Sequence, residues 1–300
     1  MTTLTPIALR PHPALAGPML MLAAALLFTG LNILIKIAGP EFRIWDIAFC
    51  RFFGGLVILV SFMGRYGNPF KGNDIRLLVI RGCTGSAAFL CMLTAIRLLP
   101  VSTALVLFFS FPAHAAIFSR IIYGERIGTS GLVSVAAVAA GVAVLFEVHL
   151  AGPAIGYVFG VLGGAFAGLT VTLIKALRAK NGPGIIYLYF CAMGLLVVFP
   201  GFIAAPVLPD TGPEWLIWGG IVATSTTAQL LMNQGFFYCK SWEGGVFMSS
   251  EVVFTALVGI VLLGEPMTLR FLLGSLLVVG SAVILHATRT PAPETIQTET

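Results

Sequence analysis

Four ionisable side chains stand inside apolar surroundings: Arg51 in DIAFCRFFGG, Arg81 in LLVIRGCTG, His114 in FFSFPAHAAI and Glu251 in FMSSEVVFTALVG. A carboxylate in such a run binds a cationic group, exchanges a proton, or is a structural group paired to a neighbouring helix. Either way its isolation in lipid costs several kcal/mol, which makes an intramembrane ionisable group a functional hypothesis by default. Counting from Gly244, Glu251 is about seven residues into its run, roughly 10 Å deep at ~1.5 Å per residue. Arg81 starts at a similar depth and is the expected counter-ion, unless it snorkels to the headgroups. Arg51, charged at any working pH, either holds an anionic part of a solute or ties down carbonyls freed near Pro112. His114, with an ordinary pKa near 6.5, is a candidate proton relay or a hydrogen-bonded core residue.

Ser225, Gln229 and Asn233 follow one another at intervals of four, so they share one helical face, flanked by Thr226 and Gln234. With Ser249, Ser250 and Thr255 they form either a polar cavity wall or a set of interhelical hydrogen bonds. Phe89 and Leu93 occupy the matching positions of the first half, which pairs a polar wall with an apolar, aromatic one. Asn32, Thr170 and Thr172 are further candidate lining residues. No GxSxG, Walker-type loop or HExxH is present, and His12, His114, His149 and His286 are scattered. Hydrolytic, phosphoryl-transfer and metal chemistry therefore have no motif, and no cofactor or metal is expected. The five cysteines include no CxxC, so neither a disulfide framework nor a thiolate metal site is indicated.

The elements that must position these residues are set by composition. The 300 residues are 58% hydrophobic and 10% charged, with a mean hydropathy of +1.00. Soluble domains average about 25% charged residues, so the partner of most of this chain is the lipid bilayer. The net charge of +5 sits at the ends of apolar runs rather than on a polar face, which argues against nucleic acid. Runs near 20 residues long enough to cross a core of roughly 30 Å as helices are expected at Pro18–Ala38, Ile44–Met63, Leu77–Leu98, Val101–Tyr123 and Leu132–Phe146. Five more follow at Ile155–Ala176, Ile185–Ala204, Trp215–Phe237, Gly244–Leu263 and Leu269–His286. With the N-terminus in the cytoplasm, twelve of the 17 Lys and Arg residues fall on the cytoplasmic side, four outside, and Arg51 within a span. The bias of positive residues inside predicts that both termini are cytoplasmic.

The chain repeats itself. Gly54 and Gly194, Ala95 and Gly235, Ala104 and Gly244, and Gly124-Glu125 and Gly264-Glu265 are each separated by 140 residues, and Lys36 and Lys175 by 139. Five spans per half is an odd number, so the second half enters the membrane in the opposite sense. That is the inverted repeat of many secondary transporters, which handle solute near the midplane. Glu125 and Glu265 are expected to be structural, ahead of the fifth and tenth helices, with Pro266 in the first turn of the tenth. Ala137, Gly141, Gly274 and Gly280 are small residues that would let those two helices pack closely.

Phe89 to Glu125, with Ala95, Leu99-Pro100, Ala104, Pro112 and Gly124-Glu125, resembles the third and fourth helices of an EamA-type repeat. The Lys36 end of the first span, Arg51 in the second and Glu251 in the ninth are similar too. The chain thus resembles the ten-helix members of the drug/metabolite transporter superfamily from about Gly17 to Ala287. One departure is Val252, which stands where the proline equivalent to Pro112 is often found, so a bend there need not be mirrored. The resemblance implies a central cavity lined by the first four helices of each half, with the fifth and tenth outside as support or homodimer contact. It also implies transport of a small-molecule substrate without choosing which.

The expected fold is an all-α integral membrane protein of ten transmembrane helices. Its tails are 1–16 and 288–300, and its inverted five-helix repeats are 17–148 and 149–287. The expected function is secondary transport across the inner membrane by alternating access, coupled to protons or exchange. Glu251, Arg51, Arg81, Gln229, Asn233, Ser250, Phe89, His114 and Asn32 are the candidate site. A membrane-embedded enzyme acting on lipid-linked substrates would need a clustered acid, base or metal set. A pore would need rings of like charge or carbonyls.

Overall fold

The computed structural model describes residues 13–146, 152–263 and 267–288. His12, His149, Gly264-Glu265, Pro266 and both tails lie outside the described residues. Those that are described form helices α1 (Pro13–Ala38), α2 (Ile44–Met63), α3 (Ile75–Leu98), α4 (Val101–Phe108), α5 (Phe111–Tyr123) and α6 (Thr129–Leu145). The second half follows with α7 (Ala154–Leu177), α8 (Pro183–Ile203), α9 (Gly212–Tyr238), α10 (Ser241–Met248), α11 (Ser250–Leu263) and α12 (Leu269–Thr288).

Eight of the resulting segments are long and apolar enough to span a bilayer, two of them being the joined pairs over Ser102–Tyr123 and Ser241–Val261. To these are added α6, apolar but only 17 residues long, and α9, 27 residues long but carrying the polar stripe. The count is ten crossings. Below, the face where α1 begins and α12 ends is the terminal face, and the opposite one is the far face.

Helix ends follow local chemistry. Asp46 accepts hydrogen bonds from the backbone and side chain of Arg43 at 2.9–3.0 Å and so closes the start of α2. Asp74 accepts from the Leu77 N–H at 3.2 Å at the start of α3. Thr211 and Glu214 form a capping box ahead of α9, which satisfies N–H groups that the helix leaves unpaired. Gly124 ends α5 at φ +65°, the left-handed conformation that glycine adopts without strain. Glu125 follows that cap, and α6 starts only at Thr129. Glu125 therefore lies ahead of the fifth spanning helix, in the connection between α5 and α6. It is half-buried, and burial pushes its carboxyl up while Lys175 and Lys240 pull the other way.

The helix pairs obey a pseudo-two-fold relation. The packing of α1 on α9 has its counterpart in α3 on α7, while α2 on α8 and α6 on α12 map onto themselves. Both halves also break their fourth helix, between Phe108 and Phe111 and again at Ser249. The second break exists without a proline, so the bend is mirrored although Val252 did not require it. Ser249 Oγ donates to the Gly245 carbonyl at 3.0 Å, as Ser110 Oγ donates to Leu107 in the first half. A Cβ on Gly245 would lie 3.1 Å from Pro112, so the two breaks meet near the pseudo-axis.

Helices α6 and α12 approach through glycine. A Cβ on Gly141 would lie 2.9 Å from the Gly274 carbonyl oxygen, and one on Gly274 2.8 Å from that of Gly141. Backbone cannot yield as a side chain can. Gly274→Ala is therefore expected to destabilise the protein by about 1–3 kcal/mol, whereas Gly280→Ala, with open space around it, leaves the melting temperature of the purified protein unchanged. Equal melting temperatures for the two variants would contradict this packing.

Candidate functional site

Glu251 follows the break between α10 and α11 and lies in the first turn of α11, where the helix N-terminus favours negative charge. Because the spanning segment begins at Ser241 and ends at Val261, Glu251 is at its middle, roughly 15 Å from either end at ~1.5 Å per residue. It is deeper than a start at Gly244 suggested, because Glu243 belongs to the first turn of α10, where its side chain accepts from the Lys240 N–H. Asn32 Nδ2 donates to Glu251 Oε1 at 2.9 Å. Thr29 Oγ1 lies 3.3 Å from both the Glu251 carbonyl and Thr255 Oγ1, so α1 grips α11 through a polar seam.

A second cluster gathers around Arg51. Its Nη2 donates to Gln229 Oε1 at 3.5 Å, and its guanidinium lies 5.5 Å from the Phe89 ring centre and 5.9 Å from that of Phe190. Arg81 stacks on Phe190 at 4.3 Å. Phe52 meets Phe89 and Phe190 edge-on at 6.0 and 5.1 Å. Tyr187, fully buried, faces Thr226 Oγ1 at 3.5 Å. Four helices, α2, α3, α8 and α9, thus supply one aromatic and basic wall.

Among the described residues, no ion pair joins Glu251 to either arginine. Arg81 is over the Phe190 ring and forms no ion pair with Glu251, which corrects its assignment as the counter-ion. The reason is packing: the Arg81 guanidinium stacks over the Phe190 ring of α8. Nor does Arg51 tie down carbonyls near Pro112, since its partner is Gln229. The candidate site thus has two parts, a carboxamide-supported carboxylate and a ring-supported guanidinium.

The α9 stripe divides. Gln229 belongs to the Arg51 wall. Ser225 bonds back to the Val222 carbonyl, Asn233 donates to the Pro183 carbonyl at 3.1 Å, and Gln234 accepts from Arg178 at 2.7 Å. Asn233 and Gln234 therefore close the terminal face. Ser250 is buried at the start of α11. His114 Nδ1 lies 3.2 Å from the Ser110 carbonyl on its own helix, while Thr170 bonds Thr84 at 3.0 Å across α3 and α7. Thr29, Tyr187 and Phe190 were not anticipated. Threonine and aromatic residues are ordinary in apolar spans, so neither type nor spacing marked them.

Access is asymmetric. Ser241 to Ser250 are buried without exception, because α10 packs on α5, α1, α7, α6, α12 and α9. Its repeat counterpart α4 packs on α7, α3 and α6, but its contacts with α11 and α1 are lost or vestigial. Asn32 is exposed, and Glu251, Phe254 and Thr255 are half-buried. Packing around the site is thus denser on its terminal-face side, at α10, than on its far-face side, at α4.

Comparison with known proteins adds to this geometry. The EamA-like transporter family matches residues 15–147 and again 154–286. Two pseudopaline exporters, from two strains of Pseudomonas aeruginosa, are each 25% identical over 275 residues, covering 91% of this chain and 97% of theirs. An uncharacterized transporter of Archaeoglobus fulgidus is 24% identical over 270 residues, covering 89% and 95%. A solved crystal structure at 17% identity superposes with a TM-score of 0.77 over 91% of this chain and 96% of that one, a likeness of fold alone.

The Phe190 ring is the shared support of both guanidiniums. Phe190→Leu keeps most of the apolar volume and removes the ring face, and is expected to cost about 2 kcal/mol in this desolvated setting. Thermal melting of the purified variant checks it, and an unchanged midpoint would mean the ring does not carry the arginines.

Proposed function

The chain belongs to the EamA-like transporter family, and from that premise we propose that it moves a small organic metabolite across the cytoplasmic membrane by alternating access. Glu251 and Arg51 hold the solute between the repeats. The observation that carries this reading is a carboxylate and a guanidinium inside the spans, one from each repeat, that share no ion pair. A gap between opposite charges is where an amphoteric solute makes contacts that the protein leaves open.

The repeats, 17–148 and 149–287, supply the motion. The terminal face is cytoplasmic in this reading, supported by its excess of Lys and Arg. The described conformation then faces outward. Exchanging the roles of the repeats would close α4 on α1 and α11 and free α10 from α5 and α7, which opens the site inward. Glu251 is the group whose charge a solute amine or a proton would balance during that exchange. The relatives' name supports outward movement, with solute taken up at the cytoplasmic side and released through the gap beside α4.

Counterflow in proteoliposomes tests the reading. Wild-type protein should show saturable exchange of its solute, accelerated by solute on the opposite side. Glu251→Gln keeps an acceptor for Asn32, so it should purify and melt like wild type while counterflow falls to the protein-free background. Wild-type rates from that variant would remove Glu251 from the mechanism.

A further inference from the structure

The charges buried within the spans do not balance. Arg81 is 1% exposed and Arg51 8%, and Arg81 Nε, Arg81 Nη1 and Arg51 Nε are buried without a hydrogen-bond partner. Both guanidiniums rest on the same ring, at 4.3 and 5.9 Å from the Phe190 centre. Against these two positive charges, Glu251 is the one carboxylate of the described spans that lies away from a span end; Glu243 is buried too but sits in the first turn of α10, where it accepts from the Lys240 N–H at 3.1 Å. The Glu251 side chain accepts from Asn32 Nδ2 at 2.9 Å. Asp46 is occupied by Arg43 at 2.9 Å near the far face.

An unpaired guanidinium in such surroundings is destabilising unless something supplies the opposite charge. Rings contribute, but a ring face carries no net charge. Carboxylate is the group whose planar pair of oxygens suits a guanidinium fork, and a second carboxylate answers the second arginine. Glu251, half-buried with acceptor capacity left over, answers an ammonium. Phe89, half-buried beside Arg51, offers its ring to the carbon skeleton between these groups.

Resting on the transport reading above, we propose that the solute is an amino-dicarboxylate: one amine facing Glu251 and two carboxylates facing Arg51 and Arg81. It brings the negative charge that the protein interior lacks. A neutral zwitterion would leave one guanidinium unanswered, and a diamine would add positive charge where there is already an excess.

Four probes of one size separate the charge types: glutamate, glutarate without the amine, glutamine without the second carboxylate, and putrescine with amines alone. Each is added at millimolar concentration to the purified protein, and binding is read from the rise in melting temperature, since a ligand of the folded state must stabilise it. Glutamate should bind at least ~10-fold more tightly than each of the other three, a difference of about 1.4 kcal/mol. In Arg81→Gln the glutamate-to-glutamine ratio should fall to about one, and in Glu251→Gln the glutamate-to-glutarate ratio should do the same. If either variant fails to fold, the order of the four probes on the wild-type protein decides alone. Glutarate, glutamine or putrescine binding best, or none of the four binding, overturns the charge assignment. Counterflow of the same probes is read separately. The expected binding order without glutamate flux would overturn the transport reading and leave the charge assignment standing.

Discussion

A guanidinium keeps its charge in any surroundings, and at mid-membrane it must be held by something other than bulk water. Much of this structure follows from that constraint. Phe190 lies under two guanidiniums, Phe52 braces the ring edge-on, and Gln229 reaches Arg51 from α9. These contacts bring α2, α3, α8 and α9 together, two helices from each repeat. Glu251 obeys the same constraint with opposite sign, through the first turn of α11 and the Asn32 amide. The interior therefore holds charges that have support without neutralisation.

Breaking a helix is the second device. Continuous spans would carry their backbone groups past the midplane fully bonded; two broken ones free polar groups there and bring helix ends to the centre. The breaks meet where Gly245 approaches Pro112. Their surroundings are unequal: α10 is enclosed, whereas α4 is at most lightly packed on α1 and α11. In the proposed alternating access a second conformation would exchange the two roles.

The fold was legible because its signals are strong and local. Hydropathy runs bounded by Gly, Pro and charge locate the spans within a few residues, and the 140-residue spacing of Gly124-Glu125 and Gly264-Glu265 reveals the repeat. The close approach of Gly141 and Gly274 follows from residue size. The site was legible in part. Glu251, Arg51, Gln229, Phe89 and Asn32 are brought together because a charge or amide in lipid has few other places to go. Direction was not legible. Arg81 and Glu251 have comparable depth in the sequence, yet their helix faces differ, and only packing shows Arg81 turned to Phe190. Asn233 fails for a related reason: its stripe runs toward the terminal face, so four residues beyond Gln229 it meets the Pro183 carbonyl instead of the site. The break at Ser249 has no proline to announce it, since a serine hydroxyl and the fit of Gly245 make it.

The central claim is that one site between the repeats is reached from the far face while the terminal face is sealed. Asn32 is the residue to probe, being exposed and in contact with Glu251. In a background lacking the five native cysteines, Asn32→Cys would be treated with a membrane-impermeant maleimide from either side of oriented vesicles. Labelling from outside the cell and not from the cytoplasmic side is the predicted result. Labelling from the cytoplasmic side alone, or from neither, would contradict it.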